Sequence, residues 1–185
     1  MKNTKVSNRY AKALLDIALE KNFLEKARED METVLQVYNS SREFRLLMNN
    51  PVVSASKKNA VITELFTKYL DKGSLLYLQI LVQKRREMNL GTIAAEFLTL
   101  YKEQKNIKTA VLRTAVPVDD IMREKVIALV KNKFSCEVEI EEIIDPTLIG
   151  GFVLKVDDYQ FDTSILSELN RLRKEFRKNV YKKEF

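Results

Sequence analysis

Apolar residues recur at helical spacing through roughly the first hundred positions. Tyr10, Leu14 and Ile17 form one stripe and Ala11, Leu15 and Ala18 a second beside it. That predicts a helix over 6–22 with more than one neighbour. A second helix is predicted over 24–39, with Leu24, Ala27, Met31, Val34, Leu35 and Tyr38 inward. A short one over 41–48 carries Phe44, Leu47 and Met48, and Asn49-Asn50-Pro51 stops it. Ser54 is placed to cap a helix reaching Tyr69, with Val61, Leu65 and Phe66 on its apolar face. Asp71-Lys72-Gly73 reads as a turn. The stretch 74–88 is the most apolar, and Leu75, Leu76, Leu78, Ile80, Leu81 and Val82 wrap most of its circumference. Such a helix is central or shared with a partner. Asn89-Leu90-Gly91 reads as a break, and a sixth helix follows over 92–105 with Ile93, Phe97, Leu100 and Tyr101.

The period changes near Asn106. Residues 107–115 are rich in Thr and Val and read as a strand ended by Pro117. Asp119 or Asp120 can cap a helix to about Lys133, with Met122, Val126, Leu129 and Val130 on one face. The stretch 138–156 then changes character abruptly. Val138, Ile140 and Ile144 alternate with Glu139 and Glu141, the signature of a half-buried strand. Asp145-Pro146 ends that strand, because proline has no N–H and restricts the residue before it. Gly150-Gly151 precedes a second apolar run, Phe152 to Val156, and suggests a bulge or close backbone approach. Asp157-Asp158 reads as a turn and Tyr159-Gln160-Phe161 as a returning strand. Asp162 is placed to cap a last helix with Ile165, Leu169, Leu172 and Phe176 on its stripe. The expected fold is α+β in two domains. Residues 1–105 form a six-helix bundle, and residues 106–185 a small mixed α/β domain of order β-α-β-β-β-α, both helices on one face of its sheet.

Composition mainly removes possibilities. No apolar run approaches the ~20 residues that span a bilayer, and the first residues lack the apolar core of a signal peptide. A bacterial-type cytoplasmic chain is the simplest reading. The absence of histidine removes His-based triads and ligands, and a lone Cys136 gives neither an intrachain disulfide nor a thiolate zinc site. The four glycines form no phosphate-cradling loop. No catalytic residue, cofactor site or metal site is nominated. The net charge of +6 lies wholly in residues 1–106, which hold 18 Lys and Arg against 12 Asp and Glu. The remainder is neutral but dipolar: Glu137, Glu139, Glu141, Glu142 and Asp145 cluster on the strand stretch, and Arg171, Arg173, Lys174, Arg177, Lys178, Lys182 and Lys183 crowd the tail.

Three segments carry a family resemblance. Arg9-Tyr10-Ala11-Lys12-Ala13-Leu14 resembles an R-Y-A-x-A-L/F opening. Arg85-Arg86 to Leu90, followed by Ile93 and Phe97, is similar to an R-x-x-x-L-x-x-I-x-x-x-F stretch. Asp145-Pro146-Thr147-Leu148-Ile149-Gly150-Gly151, continued by Asp162, Ser164 and Leu169, resembles a D-P-x-L-I-G-G strand pair before a last helix. Together they resemble the delta subunits of F-type ATP synthases, counterparts of the mitochondrial oligomycin-sensitivity-conferring protein. The chain departs from the pattern at Lys84-Arg85, where members often carry a small or uncharged residue, and at Gly91, near a common proline.

The resemblance implies a non-catalytic stator in the peripheral stalk of a proton-translocating complex, one copy per complex. It implies a peripheral position at the cytoplasmic face of the bacterial cell membrane, with membrane association only through the complex. The helical domain would bind amino-terminal helices of alpha subunits, and the carboxy-terminal domain the end of the b-subunit stalk. The alpha-helix groove would have Tyr10, Ala13, Leu14 and Ile17 on one wall and Leu76, Ile80 and Gln83 on the other. The same residues also suit an ordinary bundle core. Asp145, Pro146, Gly150, Gly151 and Asp162 would form a structural motif rather than a catalytic or phosphate site. The basic tail has three readings: a contact with the stalk, a site near an anionic surface or nucleic acid, and a solvated helix end. No nucleic-acid partner is expected, because the second domain is neutral. The alternative function is a helical adaptor that docks other proteins or RNA through its basic first domain.

Overall fold

A computed structural model describes residues 4–119, 123–124, 126–128, 130–131 and 136–177. The chain divides into two compact units, residues 1–104 and 105–185. It is mostly helical, with one small four-stranded mixed sheet.

The first unit contains α1 (Thr4–Glu20), α2 (Leu24–Ser40), α3 (Arg42–Asn49), α4 (Ala55–Phe66), α5 (Lys72–Gln83) and α6 (Leu90–Gln104), with a 3-10 turn at Glu87–Asn89. Helix α6 lies against both α1 and α2. Small residues permit this: Ala11 and Ala18 of α1 and Ala94 of α6 are fully buried. Gly91 meets the Tyr38 ring so closely that a Cβ there would sit 2.5 Å from Cε1. Polar bonds fix the same contacts. Ser7 Oγ and Thr92 Oγ1 are 3.0 Å apart, Asn8 donates to Glu96, and the Tyr101 hydroxyl donates to Glu25 at 2.6 Å. Phe44 packs edge-on against Phe66 and Tyr38, closing α3 over α4 and α2.

Several sequence expectations change here. Helix α5 ends at Gln83, five residues before the expected Met88, because Arg85 turns left-handed at φ 55°. Gly91 does not break a helix; it lies inside α6 as a contact point. Asp71 is not mid-turn but caps α5, its carboxylate accepting from Gly73 N. Ser54 occupies the cap position of α4 without a side-chain cap bond. The apolar face of α4 is Ile62 and Phe66 with Lys58, while Leu65 is exposed.

The second unit opens with β1 (Ile107–Thr114). The described residues among 123–131 are helical and are called α7; they lead to β2 (Glu137–Ile144). A 3-10 turn at Pro146–Leu148, β3 (Phe152–Val156), β4 (Tyr159–Asp162) and α8 (Ile165–Arg177) follow. The sheet order is β2-β1-β3-β4, with β1 parallel to β2 and antiparallel to β3. The parallel pair requires a crossover, which α7 supplies. The core joins Ala110, Leu112, Leu154 and Val156 of the sheet to Val126 and Val130 of α7. Val138 and Ile140 are half-buried against it, as the alternation predicts, but Ile143 and Ile144 at the far end of β2 are exposed.

The expectation of two helices on one face is not met. No residue of α8 is buried, and none belongs to the sheet core. Helix α8 instead adjoins the 3-10 turn. Its cap also differs. Ser164 accepts the first helical bond from Glu168 N, and its hydroxyl oxygen accepts from Ser167 N, while Asp162 stands two residues outside. The expected helical positions Asp120, Met122, Leu129 and Lys133, and the tail residues Lys178, Tyr181, Lys182, Lys183 and Phe185, lie outside the described residues.

Candidate functional site

The nominated groove residues fall on α1 and α5. The phenol of Tyr77 on α5 donates to the Tyr10 carbonyl oxygen of α1 at 2.9 Å, which links the two helices. Burial pushes the Tyr77 hydroxyl well above the ordinary phenol range, with Tyr10 adding to it, so it stays a donor at any physiological pH.

On α1, Ile17 is 42% exposed, Ala13 is exposed and Tyr10 is half-buried. On α5, Leu76 is 58% and Ile80 39% exposed, and Gln83 is exposed at the last helical residue. Ile17, Leu76 and Ile80 therefore leave large apolar surface in water on two adjoining helices. Leu14 does not join them: at 1% exposure it is core, and so is a support under the α1 wall rather than part of its surface. The reason is geometric. Leu14 follows Ala11 by three residues and precedes Ala18 by four, so it shares the fully buried face of α1. The apolar wrap of α5 divides likewise. Tyr77, Leu78, Leu81 and Val82 face in, and Leu76 and Ile80 face out.

The motif residues of the second unit build a corner. Asp145 Oδ1 accepts from Thr147 N at 3.1 Å and Thr147 Oγ1 at 2.6 Å, which shapes the 3-10 turn headed by Pro146. The Thr147 hydroxyl and amide hold the Asp145 carboxyl below its usual range. Ile149 at φ 66° and Gly151 at φ 73° then reverse the chain. The Gly150 carbonyl accepts from Ile165 N, and Phe152 O accepts from both Thr163 N and Thr163 Oγ1. A Cβ on Gly150 would lie 2.6 Å from Ile165 Cδ1. Asp162 accepts from Ser164 N, Ser164 Oγ and Ser167 Oγ, and the Ser167 and Ser164 hydroxyls in that order depress its carboxyl. The Asp145 carboxylate thus shapes the turn, while the Gly150 and Phe152 carbonyls and the Asp162 carboxylate tie β3 and β4 to the start of α8.

One pair escaped the sequence reading. Lys58, 1% exposed, donates to Glu87 Oε1 at 2.6 Å and to the Met48 carbonyl at 3.0 Å. Its signal was its place one turn before Ile62 on the inward stripe of α4. Clefts were also not foreseen. One of about 550 Å³ is lined by Leu35, Tyr38, Asn49, Met88 and Thr92, and another of about 410 Å³ by Val52, Arg85, Glu87 and Met88. Among the described residues no His, Cys, Asp and Glu group is placed to hold a metal, and no helix is long and apolar enough to cross a membrane.

The family model described as ATP synthase delta (OSCP) subunit matches residues 6–176. A protein of Cytophaga hutchinsonii named ATP synthase subunit delta is 36% identical over 180 residues, covering 97% of this chain and 98% of its own. The ATP synthase subunit delta of Christiangramia forsetii is 33% identical over 183 residues, covering 98% of both. A chain of the Toxoplasma gondii mitochondrial ATP synthase hexamer, solved by electron cryomicroscopy, superposes with a TM-score of 0.69 at 27% identity. The match covers 92% of this chain and 97% of that one.

Proposed function

The chain belongs to the ATP synthase delta (OSCP) subunit family, and from that premise we propose that it is a non-catalytic stator subunit of the peripheral stalk of an F-type ATP synthase. Its helical unit docks amino-terminal helices of alpha subunits on the α1–α5 face, and its second unit holds the carboxy-terminal end of the b-subunit stalk. Held at both ends, it resists the torque that rotation places on the catalytic head, so that proton flow is coupled to ATP synthesis. It sits peripherally at the cytoplasmic face of the bacterial membrane.

The observation that carries the head-binding half is the exposure of Ile17, Leu76 and Ile80 on two helices fixed together by the Tyr77–Tyr10 bond. An amphipathic helix laid along them would cover apolar stripes on both sides, the helix-in-groove mode of recognition. The Tyr77–Tyr10 bond links the two helices before any partner arrives, which would limit the reorganisation that binding requires.

The test is titration of the full chain with the amino-terminal peptide of the alpha subunit, followed by calorimetry. Saturable binding weakened by Ile80→Asp supports the proposal. Salt-sensitive RNA binding with no peptide binding would support the adaptor alternative in its place.

A further inference from the structure

The two walls of the groove belong to helices with different main neighbours. Helix α1 packs chiefly on α6, and α5 chiefly on α4, so neither is the other's main packing partner. Among the described residues a single hydrogen bond and no ion pair joins α1 to α5, and that bond is the one from the Tyr77 hydroxyl to the Tyr10 carbonyl oxygen. It ties together the turns that carry the walls. Tyr77 directly follows Leu76 and precedes Ile80 by three residues, and Tyr10 precedes Ala13 by three.

The hydroxyl is separable from the fold. The Tyr10 carbonyl lies inside α1, where it also takes the helical bond from Leu14 N. A carbonyl oxygen has two lone pairs, and the phenol uses the second. Without the hydroxyl the carbonyl stays paired within its own helix, so no buried acceptor is orphaned. The Tyr77 ring is 7% exposed, and a phenylalanine in its place would keep that packing. What the hydroxyl adds is the connection between the two walls.

We infer that Tyr77 is a positioning residue for the groove: its hydroxyl sets the spacing of α1 and α5, and through that spacing the affinity for the docked helix. Buried under the exposed Leu76 and Ile80, it does this from beneath the apolar surface. The inference rests on the reading of the α1–α5 face as the site of the alpha-subunit helix.

The experiment titrates the full chain with the amino-terminal peptide of the alpha subunit, with calorimetry for affinity and surface plasmon resonance for rates. Tyr77→Phe should weaken binding about three- to tenfold, while its melting temperature stays as in the parent. The loss should fall on the association rate. A groove correctly spaced for only part of the time captures the peptide more slowly in proportion, and releases it at an unchanged rate. Ile80→Asp, which damages the wall itself, should instead speed dissociation. Tyr77→Phe with the parent's affinity and rates overturns the inference and leaves the stator reading standing. A loss confined to dissociation makes Tyr77 part of the contact surface and overturns the positioning role. A fall in melting temperature that parallels the loss of affinity makes the hydroxyl merely structural and overturns it too. No binding by the parent overturns the reading of the α1–α5 face, and the inference with it.

Discussion

The ammonium of Lys58 on α4 lies 2.6 Å from Glu87 Oε1, in a site where the lysine is 1% and the glutamate 8% exposed. The same ammonium donates to the Met48 carbonyl at the end of α3. One cation therefore joins α3, α4 and the 3-10 turn before α6. Taking two charges out of water is costly, and their attraction offsets that cost only while both are present.

Removing one partner is expected to be worse than removing both. Glu87→Ala should destabilise the helical unit by about 3–5 kcal/mol by leaving a buried ammonium without its carboxylate. Lys58→Met with Glu87→Leu should lose much less, because neither charge then needs a partner. Urea denaturation of the two variants checks this. A double variant as unstable as Glu87→Ala would show that the pair does not act as a unit.

That pair also marks where the sequence ceases to be informative. The helices were legible because their stripes are long and periodic, and the sheet was legible because Val138 and Ile140 alternate with glutamates. Lys58 was hidden because a charge inside an apolar period reads as a polar interruption, and its partner lies 29 residues away. Helix α8 misled in the opposite sense. Ile165, Leu169, Leu172 and Phe176 have the periodicity of a buried stripe, and periodicity alone does not distinguish a stripe that meets its own sheet from one left exposed. In the groove, Leu14 and Ile17 share a period, and only packing separates the core residue from the exposed one. Gly91 is a contact glycine because Tyr38, more than 50 positions earlier, occupies the space its Cβ would need.

Two glycines should respond differently to the same change. At Gly151 the backbone is left-handed at φ 73°, and a Cβ would overlap the Thr163 carbonyl oxygen and sit 3.0 Å from its carbon. Backbone cannot swing aside, so Gly151→Ala should cost more than about 2 kcal/mol. Gly151→Val should cost more still and weaken stalk binding while sparing the groove. At Gly91 the obstacle is a tyrosine ring, and alanine recovers about 1 kcal/mol of helix propensity. Hydrogen exchange should show β3 and β4 losing protection in the first variant, and only a smaller change at α2 and α6 for Gly91→Ala.

Asp162 supplies a pH dependence. Hydrogen bonds from the Ser167 and Ser164 hydroxyls and the Ser164 amide favour its charged form, so its carboxyl titrates below the usual 3.8. A depressed folded value means the stabilisation is fully present above the ordinary aspartate range and is lost as pH falls through the folded value. The melting temperature of the parent should therefore exceed that of Asp162→Asn most clearly above about pH 4, with the gap closing on acidification below it. A gap that stays constant from pH 6 to pH 2 would show that the carboxylate charge plays no part.

The groove makes the sharpest separation between folding and binding. Leu14 and Ile80 lie on the two helices joined by the Tyr77–Tyr10 bond, but one is 1% and the other 39% exposed. Leu14→Ala opens a cavity in the core of α1 and should cost about 2–5 kcal/mol of stability. Its effect on alpha-peptide affinity should be small at temperatures where the variant remains folded. Ile80 is outside the fully buried core, so Ile80→Asp should cost less stability than Leu14→Ala does. A carboxylate on the apolar wall should nevertheless weaken the peptide at least about tenfold, since a docked helix would bury it without a partner. Calorimetric titration beside thermal melts of both variants reads the two effects separately. Strong loss of binding in a Leu14→Ala protein of undiminished stability would move Leu14 back onto the wall. Unimpaired binding by Ile80→Asp would move the docking site off the α1–α5 face.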